Sequence, residues 1–152
     1  VRGGPQLGEV LRRVAGIILQ LWVNLPRADK KMSPEYEAVH GRDLPEDGRN
    51  GVVVRTVVGA GSKVRLRTDV RYLDVKLEAG RRFEQGILAD RSSLLYVLDG
   101  HVRVGDVELA RGEGVQPREG ELTVASLDAA RVLLVSGQRH HEPIVHHGPF
   151  VD

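Results

Sequence analysis

Apolar and polar positions divide the chain into three stretches. From Gly51 to Asp152 short runs alternate, with turn residues roughly every 8–12 positions, as in an all-β domain. Leu73, Val75 and Leu77 point one way, and Tyr72, Asp74, Lys76 and Glu78 the other. Val64, Leu66, Thr68 and Val70 alternate with Arg65, Arg67, Asp69 and Arg71 in the same manner. Leu94–Leu98 and Val132–Val135 are apolar on both faces, which predicts burial on both sides. At His101–Leu109 a two-residue Gly105-Asp106 turn predicts a hairpin. Its register pairs Val104 with Val107 and Val102 with Leu109 on the core face, and sets Arg103 opposite Glu108 in solvent. About seven or eight such strands imply a sandwich or a jelly-roll barrel.

The preceding stretches are less regular. Leu7, Val10, Leu11, Val14, Ile18, Leu21 and Leu25 recur at helical spacing, yet Ile17–Val23 has a strand's β-branched and aromatic content. The reading is a helical turn or two near Gly8–Ala15, then a strand over Ile17–Val23. Pro26–Asn50 holds three prolines and reads as a connector, with one helical turn over Pro34–Val39 after the capping candidate Ser33.

Composition narrows the chemistry. The 152 residues are 41% hydrophobic and 28% charged, ordinary for a globular domain able to bury a core. Lysine and arginine number 22 against 21 acids, so no global field favours nucleic acid or an anionic membrane. No apolar run reaches the roughly 18 residues of a membrane span; Val14–Leu25 is interrupted by Gln20 and Asn24. No secretory leader is expected. The absence of cysteine excludes disulfides, thiolate metal sites and cysteine nucleophiles, and fits a cytoplasmic location. The valine start suggests a fragment or an unusual start codon.

Several motifs, in order, carry a family resemblance. They are Leu19-Gln20-Leu21-Trp22-Val23-Asn24-Leu25-Pro26-Arg27-Ala28-Asp29-Lys30, then Pro34-Glu35-Tyr36, then Val52–Gly59 and Val70–Gly80. Tyr96-Val97-Leu98-Asp99-Gly100 with Val102–Gly105 follows, and finally Glu142–Val145 and Gly148–Val151. From Leu19 to Val151 the chain resembles the pirin family of the cupin superfamily, in its C-terminal half. The resemblance implies an all-β, cupin-type double-stranded β-helix, a jelly-roll barrel with little helix. It implies an N-terminal segment (1–25) ending in a remnant strand of a missing first cupin, a connector (26–50) and a C-terminal cupin (51–152). Trp22 and Phe150 would then lie at an interface, packed between cupins in a complete pirin or left as an exposed patch. Residues Val1–Gly16 do not resemble the family, and the chain stops where the family continues. A fragment, a truncated product and a separately encoded half all fit.

The resemblance also says where a metal would sit. Cupins hold iron or another divalent metal on three histidines and a glutamate. If Gly100 is the glycine closing the first motif, the glutamate position is Ser93 and the histidine positions fall within Gly86–Ala89, as Gly, Ile, Leu and Ala. The second motif needs a histidine after the Gly112–Gly120 turn, and none occurs between Val102 and Arg139. No cofactor, metal or catalytic residue is therefore expected in this barrel. His140, His141, His146 and His147 cluster late. His141 and His146, near Glu142, could converge as a surface metal pair across a tight turn at Pro143; the alternative is a polar loop. His101 reads as a solvated edge residue rather than a base. Gly59-Ala60-Gly61-Ser62-Lys63 lacks the spacing of a phosphate loop and reads as a turn. Lys63, Arg65, Arg67 and Arg71 form a basic stripe, read as a solvent face rather than an anion surface.

Two functions follow. The first is a non-catalytic structural or protein-interaction module, since pirins act in transcriptional co-regulation through protein partners. The second is part of a metal-dependent flavonol (quercetin) 2,3-dioxygenase whose metal lies in the missing N-terminal cupin. A homodimer that imitates a bicupin would bury the Trp22 segment.

Overall fold

The computed structural model describes residues 18–143 and the backbone of 146–147 and 150–151. Ten strands build two antiparallel sheets. They are β1 (Glu46–Arg49), β2 (Val52–Val58), β3 (Val70–Leu77), β4 (Arg82–Ile87), β5 (Arg91–Asp99), β6 (His101–Val104), β7 (Val107–Ala110), β8 (Gly114–Val115), β9 (Gly120–Ser126) and β10 (Ala130–Gln138). One sheet runs β1-β2-β3-β10-β5-β8 and the other β4-β9-β6-β7. Strands β11 (His146–His147) and β12 (Phe150–Val151) pair separately. Among the described residues the only helical turns are 3-10 turns at Arg27–Asp29 and Gly41–Asp43. No described helix is long and apolar enough to cross a membrane.

The two sheets enclose one core, and the period of two explains which side chains fill it. Leu73, Val75 and Leu77 enter from β3, Leu95 and Val97 from β5, and Val132 and Leu134 from β10. Phe83, Val102, Leu109, Leu122 and Val124 close it from the other sheet. The β6–β7 hairpin has the expected register, with Val104 opposite Val107 and Val102 opposite Leu109. Gly105 sits at φ +57, as the first central residue of a type II′ turn requires. Arg103 Nη2 donates to Glu108 Oε1 at 2.6 Å. Val107, however, is exposed: it opens β7 directly after the Gly105-Asp106 turn, at the tip of the hairpin.

A second tight hairpin joins β1 to β2. Arg49 pairs with Val52, leaving Asn50 and Gly51 as the loop, both at positive φ. An Asn-Gly pair is the strongest short-range signal for such a turn. It places the first strand inside what the sequence suggests is connector.

Several local expectations fail, among them the two-sided burial of Leu94–Leu98, since Leu94 is exposed. Residues 62–69 form a loop, and β3 starts at Val70. Thr68 is buried and Leu66 exposed, so the alternation there does not mark a sheet face. Pro34–Val39 is not helical: Tyr36, 92% exposed, gives so short a helix no apolar contact to stabilise it. Residues 18–23 pair with no strand among the described residues, and a strand needs a neighbour to take its backbone hydrogen bonds. The helical turn expected over Gly8–Ala15 lies outside the described residues.

Asp74 also departs from its expected solvent position. It is buried and accepts two bonds from Arg131, Nε to Oδ1 at 2.8 Å and Nη2 to Oδ2 at 2.7 Å. This fork-to-fork pair joins β3 to β10 on the outer face. Burial first, then the Asp74 carboxylate, pushes the neighbouring Tyr72 phenol above its ordinary range.

Candidate functional site

The inner face of the barrel changes character along its length. Along β10, Val132 lies between Val75 and Val97, and Leu134 between Leu73 and Leu95. One rung further, Ser136 lies between Arg71 and Ser93. Hydrocarbon thus gives way to polar groups at one mouth. Ser93 Oγ donates to Ser136 Oγ at 2.9 Å, and both residues are buried.

Ser93 stands where the superfamily glutamate is expected, on the inner face of β5. Gly86 and Ile87 end β4, and Leu88 and Ala89 follow it. Strand β9 contributes Leu122 and Val124 to the interior. A metal held in the usual cupin way would meet hydrocarbon, a glycine and a serine hydroxyl already bonded to a second serine. Those donors do not fit iron or its relatives, which require imidazole and carboxylate. Among the described residues no group of three or more His, Asp or Glu side chains could hold a metal ion.

Two cavities open near this end. One, of about 420 Å³, is lined by Thr56, Arg71, Leu73, Phe83 and Gln85 with residues of β1 and β2. The other, of about 570 Å³, is lined by Asp90, Arg91, Ser92, Ser93, Arg118 and Arg139, with Gln116, Pro117, Glu119 and Leu88. The second was not legible in sequence, because its arginines come from three distant segments.

Two of the late histidines, His140 and His141, act as fasteners. His140 Nε2 lies 3.2 Å from Thr68 Oγ1 and 3.1 Å from the Asn24 carbonyl, which also accepts a bond from Thr68 Oγ1 at 2.9 Å. The Arg27 amide donates to both oxygens of Glu142, at 2.9 and 3.2 Å. Together these bonds clamp residues 24–27 onto the chain leaving β10. His141 Nε2 contacts the Asp90 carboxylate at 2.7–2.8 Å and pins the turn between β4 and β5. His146 and His147 lie in β11, and their side chains, like that of Phe150, are outside the described residues. Trp22 is 74% exposed, beside exposed Ile18, Leu19 and Leu21.

The remaining candidates have structural places. Gly59–Ser62 is a turn, closed by Ser62 N to Gly59 O at 3.1 Å. The buried Ser62 hydroxyl donates to Val57 O at 2.6 Å and accepts from Val64 N at 3.1 Å. Lys63, Arg65, Arg67 and Arg71 do not share a strand face: the first three lie in the loop, with Arg67 paired to Glu35, while Arg71 lines the first cavity.

His101 is exposed, as expected, but it is paired. Its amide donates to Asp128 Oδ1 at 2.7 Å, and its Nδ1 lies 2.8 Å from Asp128 Oδ2. The hydrogen bond to Asp128, then its charge, raises the His101 pKa above about 6.5, and the same bond lowers that of Asp128. The raised imidazole contributes stability below about pH 6.5, lost as pH climbs through the folded value. The lowered carboxylate contributes above about pH 3.9, lost as pH falls through its folded value. The pair therefore helps most between these limits. In an NMR titration, Asp128→Asn is expected to bring the His101 midpoint down toward the ordinary histidine value. An unchanged midpoint would mean the pair does not form in solution.

Comparison with known proteins places this architecture. Residues 72–152 match the pirin C-terminal cupin domain. The chain is 33% identical over 146 residues to rat Pirin, covering 88% of this chain and 50% of that protein. It is 36% identical over 159 residues to a Pseudomonas aeruginosa protein provisionally named a quercetin 2,3-dioxygenase, covering 94% and 56%. A crystal structure of quercetin 2,3-dioxygenase from Acinetobacter baumannii superposes with a TM-score of 0.75 at 30% identity, covering 86% of this chain and 48% of that one. The chain spans about half the length of the curated relatives it matches. With its jelly-roll sheets, its β6–β7 hairpin and this match over the barrel, the chain belongs to the pirin family, through the family's C-terminal cupin domain.

Proposed function

We propose that this chain serves as a non-catalytic cupin half, a structural and protein-interaction module. The carrying observation is the Ser93–Ser136 hydroxyl pair, which stands at the ligand level of the barrel above Leu73, Leu95 and Leu134. Two neutral hydroxyls bonded to each other supply neither the imidazole nor the carboxylate that a cupin metal takes. The interaction surface is the exposed ridge around Trp22, anchored behind by Asn24 and Arg27. Aromatic anchors of this kind dominate protein interfaces. A second copy or another protein would cover it. Sedimentation equilibrium tests the homodimer, and a clean monomer at high micromolar concentration rejects it.

The likeness to the Acinetobacter enzyme favours a second reading, in which this half belongs to a quercetin 2,3-dioxygenase whose metal is held by another cupin. Metal analysis of the purified chain, with a quercetin-decay assay, separates the two. The expected result is substoichiometric metal and stable flavonol absorbance. Stoichiometric iron with loss of that absorbance would overturn the non-catalytic reading.

A further inference from the structure

Arginines from three separate segments line one cavity at the polar mouth of the barrel. Three segments build the 570 Å³ cavity: the start of β5, the loop between β8 and β9, and the residues after β10. Arg91 is fixed in its wall. Its side chain is 11% exposed, and its guanidinium contacts the Asp69 carboxylate and donates to Ser136 O at 3.0 Å. Arg139 commits only Nε, to Ser92 Oγ at 3.3 Å. Arg118 has no partner among the described residues. The guanidinium ends of Arg118 and Arg139 are thus available in one cavity, each with the fork that matches a carboxylate.

The acceptors in the same cavity refine the ligand. Asp90 is engaged by His141, whereas Glu119 has no partner among the described residues. Two available guanidiniums against one available carboxylate favour a monoanion. A multiply charged anion would be repelled by Glu119 and Asp90. Glu119 and the Gln116 carbonyl can instead accept bonds from ligand hydroxyls, while the Gln116 amide and the Ser92 hydroxyl can donate to them. The volume lies within the range of small-molecule sites.

We infer that this mouth binds a small polyhydroxylated carboxylate, with its carboxylate between Arg118 and Arg139 and its hydroxyls toward Glu119 and Gln116. Such a site is independent of the metal content of the chain, so its failure and that of the non-catalytic reading are read in different experiments. Isothermal titration of the full chain with D-gluconate is the test, with propionate and inorganic phosphate as comparison ligands. Gluconate is expected to bind saturably at one site. Arg118→Ala and Arg139→Ala are each expected to weaken it by about tenfold, the effect of losing one charge-assisted contact. Arg82→Ala, at the far end of β4, is expected to change nothing, and unchanged thermal midpoints keep folding out of the comparison. No saturable gluconate binding, equal binding of propionate or phosphate, or full affinity in both cavity variants would each overturn the proposal.

Discussion

Gly100→Ala is expected to destabilise the barrel by about 3–5 kcal/mol, among the largest effects of any single substitution. Gly100 joins β5 to β6 at φ +77, where an L-residue pays about 1–2 kcal/mol for the conformation alone. Crowding costs more than conformation here. An added Cβ would strike the Ala129 carbonyl oxygen, in the β9–β10 turn, and come within 2.8 Å of Ala130 Cα, at the start of β10. It would also come within 2.7 Å of Asp128 Oδ1, the atom that accepts the His101 amide. The turn cannot retreat without breaking Leu127 N to His101 O, a 2.9 Å bond. Gly105→Ala isolates the conformational part, since nothing lies within 4 Å of its Cβ position and its φ is +57. Urea unfolding of both variants is the measurement. A loss at Gly100 no greater than that at Gly105 would refute the collision.

Leu134→Ala is expected to cost about 3–4 kcal/mol, within the span of leucine truncations in closed cores. Leu134 is fully buried, with Leu73 and Leu95 as its neighbours in register on either side. Both flanking strands are hydrogen-bonded to β10 along their length, so the backbone cannot collapse into the hole. Leu94→Ala, on the outer face of β5 and exposed, is expected to cost about 1 kcal/mol or less. Equal losses at the two positions would show that the inner face of the barrel has been assigned to the wrong side chains.

What could be read in the sequence was short-range. The β6–β7 register follows from a two-residue turn and four valine and leucine positions close in the chain. The alternation of Leu73, Val75 and Leu77 likewise needs no distant partner. The lack of metal donors at Ser93 and Gly86–Ala89 is a matter of residue identity. The misreadings share a cause. Val64–Val70 alternates as a strand would, but only Thr68 and Val70 at its end are buried, and Thr68 is held by Asn24 and His140 rather than by a sheet. Leu94 looks like a core residue because its neighbours are, while the outer face of β5 leaves it exposed. The His101–Asp128 pair, the burial of Asp74 under Arg131 and the arginine mouth all join residues separated by more than 20 positions. Local periodicity holds no information about such pairings.

The clamp formed by Asn24, Thr68 and His140, with Arg27 on Glu142, has a mechanical consequence. It shackles the stretch of chain entering the barrel to the stretch leaving it. A body joined ahead of residue 18 would hang from the same knot as one joined after residue 143.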